Sequence, residues 1–468
     1  MKSGKNHITY IILVLIFLLF FTLYNISHTE TLKTETIRDF PEIISTQTLN
    51  VVTSSNFIDY FVYNGVPMGF FLEILEDFSS YYNLKLKIIL ENNFSGSVQL
   101  LKNRDCDIYA CNTVIPKYKV IKFRSTLPIR KTKYVLVQRK PDYYWLMTDS
   151  QIEDSLIKDI REIKNEKIYT NDPNAFYLRL NIPSIEIIDS ISMDQIIKNI
   201  SNKTFSYAIS DYASAQVLKS YYNNLDLSTV IRDNNDIVWY VRNESVALID
   251  SLNNWLSNFK KSKKYYDLEN KYIYQNRMIV NLKSEYYSGN EGKISIYDDL
   301  IKEYSKNINW DWRLLASLIY EESRFDPNAE SWAGAIGLMQ LMPYTYKEFS
   351  NDTTWEVTSQ LSAGTKYINY LSSLVPANIK DSVTGIKMIL AGYNIGFGHV
   401  EDAIRLAEKY EKDSASWDDI SYFLINLTNQ KYYNDSVVKF GYFPGIYAVD
   451  FANSIYDRFL HYKNVIPE

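Results

Sequence analysis

Apolar positions along this chain change their period twice. The first stretch, Ile8 to Ile26, is apolar almost without a break. Nineteen helical residues span about 28 Å, close to one hydrocarbon thickness. Lys2 and Lys5 precede it, the charge order of a secretory signal or of an anchor with its N-terminus inside. No small-x-small cleavage site follows, only Asn25-Ile26-Ser27-His28, which favours an uncleaved anchor. Residues 1–30 are therefore expected to be a signal or membrane anchor, and 31–47 a polar tether.

From Thr48 the period shortens. Leu49–Val52, Leu84–Ile88, Asp107–Cys111 and Lys133–Arg139 read as strands, with Leu84–Ile88 alternating strictly. Helical spacing appears between them, from Phe71 to Tyr82 and around Ser97–Asn103, so this is α/β material. Lys133–Arg139 is assigned to the first lobe. A second α/β lobe is expected from about Tyr143 to Asp233, and Ile237–Val241 as a strand returning to the first. Leu248, Leu252, Trp255, Leu256 and Phe259 then make one helical stripe. The two-lobed unit spans 48–280, and the glycine-bearing polar stretch in 281–293 reads as a linker.

From Ile294 to the end only helical spacing remains. In Trp312–Ser323 the positions Trp312, Leu315, Ile319 and Glu322 share one face, apolar until its last member. Asp326-Pro327-Asn328 is expected to stop this helix. A carboxylate ending an apolar stripe is costly unless neutral or paired. Desolvation raises its pKa, as a general acid near neutral pH requires; a structural cap, ion pair or solvated helix end also satisfies the pattern. Gly334 and Gly337 follow closely, where backbone can approach the candidate acid. A further apolar helix ends in Ala391-Gly392-Tyr393-Asn394.

Composition narrows the function. The 468 residues suffice for two or three domains, and 46% hydrophobic with 22% charged residues is ordinary globular material. A net charge of −5 leaves no basic surplus for nucleic acid. Cys106 and Cys111 on one strand sit too far apart for a disulfide and are expected as buried free thiols. The four histidines are scattered, so no metal site and no cofactor is expected.

Glu322-Ser323, then Gly337-Leu338-Met339-Gln340, then Gly392-Tyr393-Asn394 resemble, in order, the three motifs of the soluble-lytic-transglycosylase, goose-lysozyme-like superfamily, with Gly392 where alanine is usual. Residues 48–278 resemble the type II periplasmic solute-binding proteins of the polar amino acid class, most clearly along CDIYACNTVIPKYKVIKFRSTLPI and KYVLVQRK. The order anchor, solute-binding-like domain, lysozyme-like domain resembles the membrane-bound lytic murein transglycosylase F family.

That resemblance implies a multidomain chain: a two-lobed α/β domain, then a mostly α lysozyme-like domain over 294–468. It implies a peptidoglycan lyase in the cell envelope. The enzyme would cleave the MurNAc–GlcNAc bond without water and leave 1,6-anhydro-MurNAc ends. Glu322 would be acid and then base; Ser323 would orient sugar or carboxylate; Met339 and Gln340 would line the cleft. Tyr393 and Asn394 would hold Glu322 or the N-acetyl group, although Tyr393 also reads as core and Asn394 as a helix C-cap. A further cleft tyrosine falls near Tyr447, with the ungapped match on Phe451. In the first domain Asp211 matches an ammonium-binding aspartate, or is a helix N-cap. Tyr118, flanked by Lys117 and Lys119, stands where the family's carboxylate-gripping arginine would be. The partners implied are glycan strands, a small ligand (an amino acid or wall fragment) and a membrane, the outer one by family and the cytoplasmic one if the anchor stays. A hydrolytic muramidase and a non-enzymatic wall-fragment sensor are the alternatives.

Overall fold

The computed structural model describes residues 38–112, 123–171, 184–188, 191–274, 284–288, 292–350, 354–377, 379 and 382–467. The apolar run Ile8–Ile26, the segment Lys117–Lys119 and part of the 281–293 linker lie outside them. No helix among the described residues is long and apolar enough to cross a membrane.

The polar tether ends sooner than its composition implies. α1 (Phe40–Thr46) is capped by Asp39, whose carboxylate also accepts from the Ala247 and Leu248 amides at 2.9 and 2.8 Å. Arg38 donates to the buried Asp107 at 2.8 Å, and Ile43 is wholly buried. With Ile43 its one fully buried residue and Phe40 half-buried against Phe78 and Tyr82, so short a helix leaves too faint a period to read.

The first lobe is built from β1 (Thr48–Thr53), β2 (Phe61–Tyr63), β3 (Val66–Met68), α2 (Phe70–Tyr81), β4 (Lys85–Leu90), α3 (Phe94–Lys102), β5 (Ile108–Tyr109) and β6 (Phe123–Ser125). The chain then crosses to the second lobe: β7 (Arg130–Arg139), α4 (Asp149–Ser155), β8 (Ile168–Thr170), β9 (Ile185–Ile187), α5 (Met193–Ser201), β10 (Tyr207–Asp211), α6 (Tyr212–Tyr221), β11 (Leu225–Asp226) and β12 (Val230–Ile237). It returns in β13 (Tyr240–Arg242), followed by α7 (Val246–Phe259) and α8 (Lys263–Glu269). One sheet has the order β4-β1-β5-β13-β6; the other runs β11-β7-β10-β8-β9, with β12 also on β7.

Two expectations are corrected here. Lys133–Arg139 lies in β7, an inner strand of the second sheet, not of the first. Val135, Leu136 and Val137 are all buried, so its pattern fits either sheet. Only its distant partners β10 and β12 decide. The return strand Ile237–Val241 is likewise divided, Ile237 closing β12 and Tyr240 opening β13. Cys106 and Cys111 are free and buried.

The second domain is helical: α9 (Asp298–Lys306), α10 (Trp312–Ser323), α11 (Pro343–Phe349), α12 (Val357–Leu374), α13 (Val383–Ile395), α14 (Phe397–Lys409), α15 (Trp417–Asn426), α16 (Gln430–Tyr433) and α17 (Ile446–Val465). α13 is buried along Lys387–Tyr393 and forms the centre of this core. α10 is tied to α17 by the Ser317 hydroxyl donating to the Ile455 carbonyl at 2.7 Å.

The domains meet through the β2–β3 hairpin with the adjoining Tyr60, and through β4, where Lys85 pairs with Asp457 at 2.9 Å. Val62 packs into the helical core rather than its own. The Tyr462 hydroxyl donates to the Gly65 carbonyl at 2.8 Å, and Tyr60 shares a 2.8 Å hydrogen bond with His461 Nδ1. Gly65, at φ 76°, lies so close to α10 that a Cβ there would sit 2.9 Å from the Tyr320 ring.

Candidate active site

α10 starts at Asp311, whose carboxylate accepts from the Arg313 amide at 3.0 Å. Its apolar face drives it into the core: Leu315 and Ile319 are wholly buried. The helix ends earlier than Pro327 would stop it. Arg324 and Phe325 both take left-handed angles, φ 52° and 65°, and turn the chain out directly after Ser323. Glu322 thus occupies the last helical turn.

Its carboxyl is half-buried, and among the described residues no donor reaches it. Burial, and secondarily the charge of Glu321, push Glu322 up to about 8. The carbonyl end of the helix acts in the same direction. Glu321 points elsewhere and forms an ion pair with Arg458 at 2.7 Å, without hydrogen-bond alignment. Arg458 also stacks over the Tyr320 ring, 4.4 Å from its centre. Asp326 is exposed and accepts from the Asn328 amide at 2.9 Å.

The loop after α10 folds back on itself. Gly337 N–H donates to the Ala329 carbonyl at 2.8 Å, and Ile336 N–H to Leu341 at 3.1 Å. Gly337 has φ 82°, and a Cβ there would collide with the Gln360 amide. Gln360, on α12 and 3% exposed, accepts from the Leu338 amide at 2.6 Å and donates to the Trp355 and Pro327 carbonyls at 2.6 and 3.1 Å. It clamps the loop, and nothing in the local sequence marks it, because its partners lie 22 and 33 residues away.

The motif residues assemble around Glu322 in roles other than those first expected. The Ser323 hydroxyl donates to the Leu338 carbonyl at 2.8 Å, which pins the loop to the helix; it is not turned to a sugar. Met339 is 1% exposed and packed on Gly364, so its side chain fills core rather than lining a cleft. Tyr393 does not donate to Glu322; its hydroxyl donates to the Met339 carbonyl at 2.7 Å. Burial, and then the nearby Glu322 charge, hold that hydroxyl firmly protonated. Gln340, at φ 46°, donates to the Ala329 and Gly337 carbonyls at 2.9 Å and remains partly exposed. Asn394 is exposed in the last turn of α13, and the C-cap is Gly396, not Asn394. Gly392 packs on Phe397; a Cβ would come within 2.6 Å of that ring, which accounts for glycine there. Tyr447 is 71% exposed at the start of α17, whereas Phe451 leans on the core.

In the first domain Asp211 lines the cleft between the lobes and caps α6. Its oxygens are filled from within: by Arg130 at 2.8 Å, Asn112 at 3.1 Å, the Ser214 amide and hydroxyl at 2.9 Å, and Thr132. An ammonium group would have to displace one of these. Among the described residues no cluster of histidine, cysteine or carboxylate side chains is placed to hold a metal.

Residues 49–275 match the family model for bacterial extracellular solute-binding proteins, family 3, and residues 299–416 that for the transglycosylase SLT domain. The chain is 27% identical over 436 residues to a membrane-bound lytic murein transglycosylase F of Shewanella sediminis (strain HAW-EB3), covering 90% of this chain and 86% of that protein. It is 28% identical over 397 residues to one from Shewanella sp. (strain W3-18-1), covering 83% and 79%. Among solved structures, the P235GK mutant of ArgBP from T. maritima matches with a TM-score of 0.44 and 19% identity, over 50% of this chain and 99% of that one.

Proposed function

The chain belongs to the membrane-bound lytic murein transglycosylase F family, and on that premise we propose that Glu322 is the acid and then the base of its peptidoglycan cleavage. A carboxyl raised to about 8 is mostly protonated at neutral pH and ready to give its proton to the glycosidic oxygen between MurNAc and GlcNAc. As the bond breaks, positive charge develops at C1 of the muramic residue. The substrate's own N-acetyl oxygen stabilises it. Glu322, now a carboxylate, takes the proton of the C6 hydroxyl, whose oxygen closes on C1. The product end is 1,6-anhydro-MurNAc and no water is consumed.

The observation that carries this reading is the isolation of Glu322. Hydrolysing enzymes of this chemistry generally use a second carboxylate as base or nucleophile. Here the neighbouring charge is Glu321, which is turned to Arg458. Asn394, exposed in the last turn of α13, and the partly exposed Gln340 are the groups suited to meet the N-acetyl group and sugar hydroxyls. Ser323, Tyr393 and the Met339 carbonyl hold the loop that carries Gln340.

The two-lobed domain over 48–280 acts as a regulator: a small ligand between the lobes alters the enzyme. The β2–β3 hairpin supports this, because it leaves the first lobe and touches the helix that bears Glu322. The protein works in the cell envelope, held to a membrane by the Ile8–Ile26 run.

Mass spectrometry of peptidoglycan digested by the full chain, beside a Glu322→Gln variant, tests the chemistry. Anhydro-muropeptides from the wild type alone are expected. Reducing-end products would mean a hydrolase and overturn the single-carboxylate mechanism.

A further inference from the structure

One large side chain in the loop after α10 contributes nothing to the core. Trp332 is 100% exposed. Tryptophan is highly buried on average, although a single exposed apolar residue would by itself need no explanation. Trp332 is neither alone nor loose. Glu330 pairs antiparallel with Ile336, and Ile336 antiparallel with Leu341, in one small ladder. The chain therefore leaves Glu330 and Leu341 in the same direction, and Trp332 and the exposed Met342 follow at one end. Tyr344, also exposed, stands just beyond in the first turn of α11.

The turn that carries Trp332 is braced. Gly334 N–H donates to the Ser331 carbonyl at 2.9 Å, Ser331 N–H to the Ala335 carbonyl at 2.9 Å, and Ala335 N–H to the Ser331 hydroxyl at 3.0 Å. Gly334 closes the turn at φ 86°. A partner meeting the indole would not have to order the loop first, which removes one cost of binding.

The other end of the ladder is held beside the acid. There the Leu338 carbonyl accepts from Ser323, the residue after Glu322, and the Met339 carbonyl from Tyr393. Ala329, three residues before Trp332 and so within about 11 Å of it along the chain, accepts from the Gln340 side chain at 2.9 Å. The exposed indole thus belongs to the same small unit as Gln340, one ladder length from the end pinned at Ser323. Charge narrows what it could meet. Between Asp326 and Tyr346 the sequence holds Asp326 and Glu330 but no lysine or arginine. An anionic lipid surface selects basic residues; a neutral sugar does not.

We propose that Trp332 is a stacking platform for a sugar ring of the glycan strand, further along the strand than the bond cut at Glu322. The proposal rests on the reading of the helical domain as a peptidoglycan-cleaving enzyme. A β-1,4-linked pyranose carries its hydroxyl and acetamide groups around its rim and C–H bonds on its faces. A flat indole covers such a face and leaves the rim groups in water, so it adds grip on the strand without touching the reacting atoms.

The test is steady-state release of muropeptides from soluble glycan strands by the full chain and its Trp332→Ala and Trp332→Phe variants. Trp332→Ala is expected to raise KM about 10-fold, with kcat and melting temperature at their wild-type values. Trp332→Phe, which keeps a ring, should recover part of that loss. Acrylamide quenching of tryptophan fluorescence reads the contact directly in a Glu322→Gln chain, which binds strands without cutting them. Added strands should shield an exposed tryptophan, and the shielding should vanish when Trp332→Phe is introduced as well. A wild-type KM in Trp332→Ala, with shielding that does not depend on Trp332, would overturn the proposal and leave the enzyme standing. Sedimentation with phosphatidylglycerol–phosphatidylethanolamine vesicles that needs Trp332, with no effect on KM, would overturn it in favour of a membrane contact. Neither cleavage by the wild type nor shielding by strands would overturn both readings.

Discussion

The Tyr393 hydroxyl donates to the Met339 main-chain carbonyl at 2.7 Å, across the boundary between the third motif and the second. The tyrosine therefore braces the loop of the second motif instead of holding the acid. Tyr393→Phe leaves a buried carbonyl unanswered, which costs about 1–3 kcal/mol. Thermal denaturation should show that loss. The turnover number should fall while the alkaline limb of the pH profile stays near its wild-type position; a hydroxyl bonded to Glu322 would instead move that limb.

Glu322 sets the pH dependence. As the acid it must carry its proton, so activity should fall as pH rises through about 8. Removing the neighbouring like charge with Glu321→Gln should lower the Glu322 pKa and move that limb to lower pH. The stability effect has the opposite sense to a paired carboxylate. The folded state holds the proton up to about 8 against an ordinary value of 4.5, so stability declines as pH rises between those values. Glu322→Gln should therefore melt higher than the wild type at pH 9 and show no such advantage at pH 4. An equal difference at both pH values would contradict a buried, unpartnered carboxyl.

The loop clamp is testable at Gly337. A residue with a Cβ pays about 1–2 kcal/mol for left-handed angles, and here the Cβ also collides with Gln360. Gly337→Ala should lower the melting temperature and reduce turnover together. Gln360→Ala, which removes the bonds to Leu338 and Pro327 of the loop, should reproduce the loss of turnover. If peptidoglycan cleavage by both variants stayed at the wild-type rate, the clamp would have no part in positioning Glu322.

Coupling between the domains can be read at Gly65. A Cβ there meets the Tyr462 hydroxyl at 2.8 Å and the Tyr320 ring at 2.9 Å, with strained angles besides. Gly65→Ala should change turnover although it lies far from Glu322 in sequence, and should leave ligand affinity in the distant cleft unchanged. Identical kinetics with and without ligand, in both proteins, would remove the regulatory role from the first domain.

The fold class and the acid were legible because their signals are local. Period two and period three to four separate the α/β part from the helical part, and an apolar stripe ending in Glu322 lies within one helix. The three motifs were visible for the same reason: each is a short run whose turn or helix end depends on its own residues. Their roles were less legible. Ser323, Met339 and Tyr393 have side chains that suit a cleft, yet all three are spent on backbone or core.

What the sequence by itself determined is the set of elements and the one carboxyl placed where burial would raise it. Tertiary structure alone decided which sheet takes Arg130–Arg139, because a strand buried on both faces shows no preference until its partners β10 and β12 arrive. It alone turned Glu321 to Arg458 and spent Asp211 on Arg130. Those outcomes depend on charges brought together from many tens of residues apart, 81 in the case of Arg130 and Asp211. Periodicity carries the burial of a position; it carries no information about which distant group will meet it there.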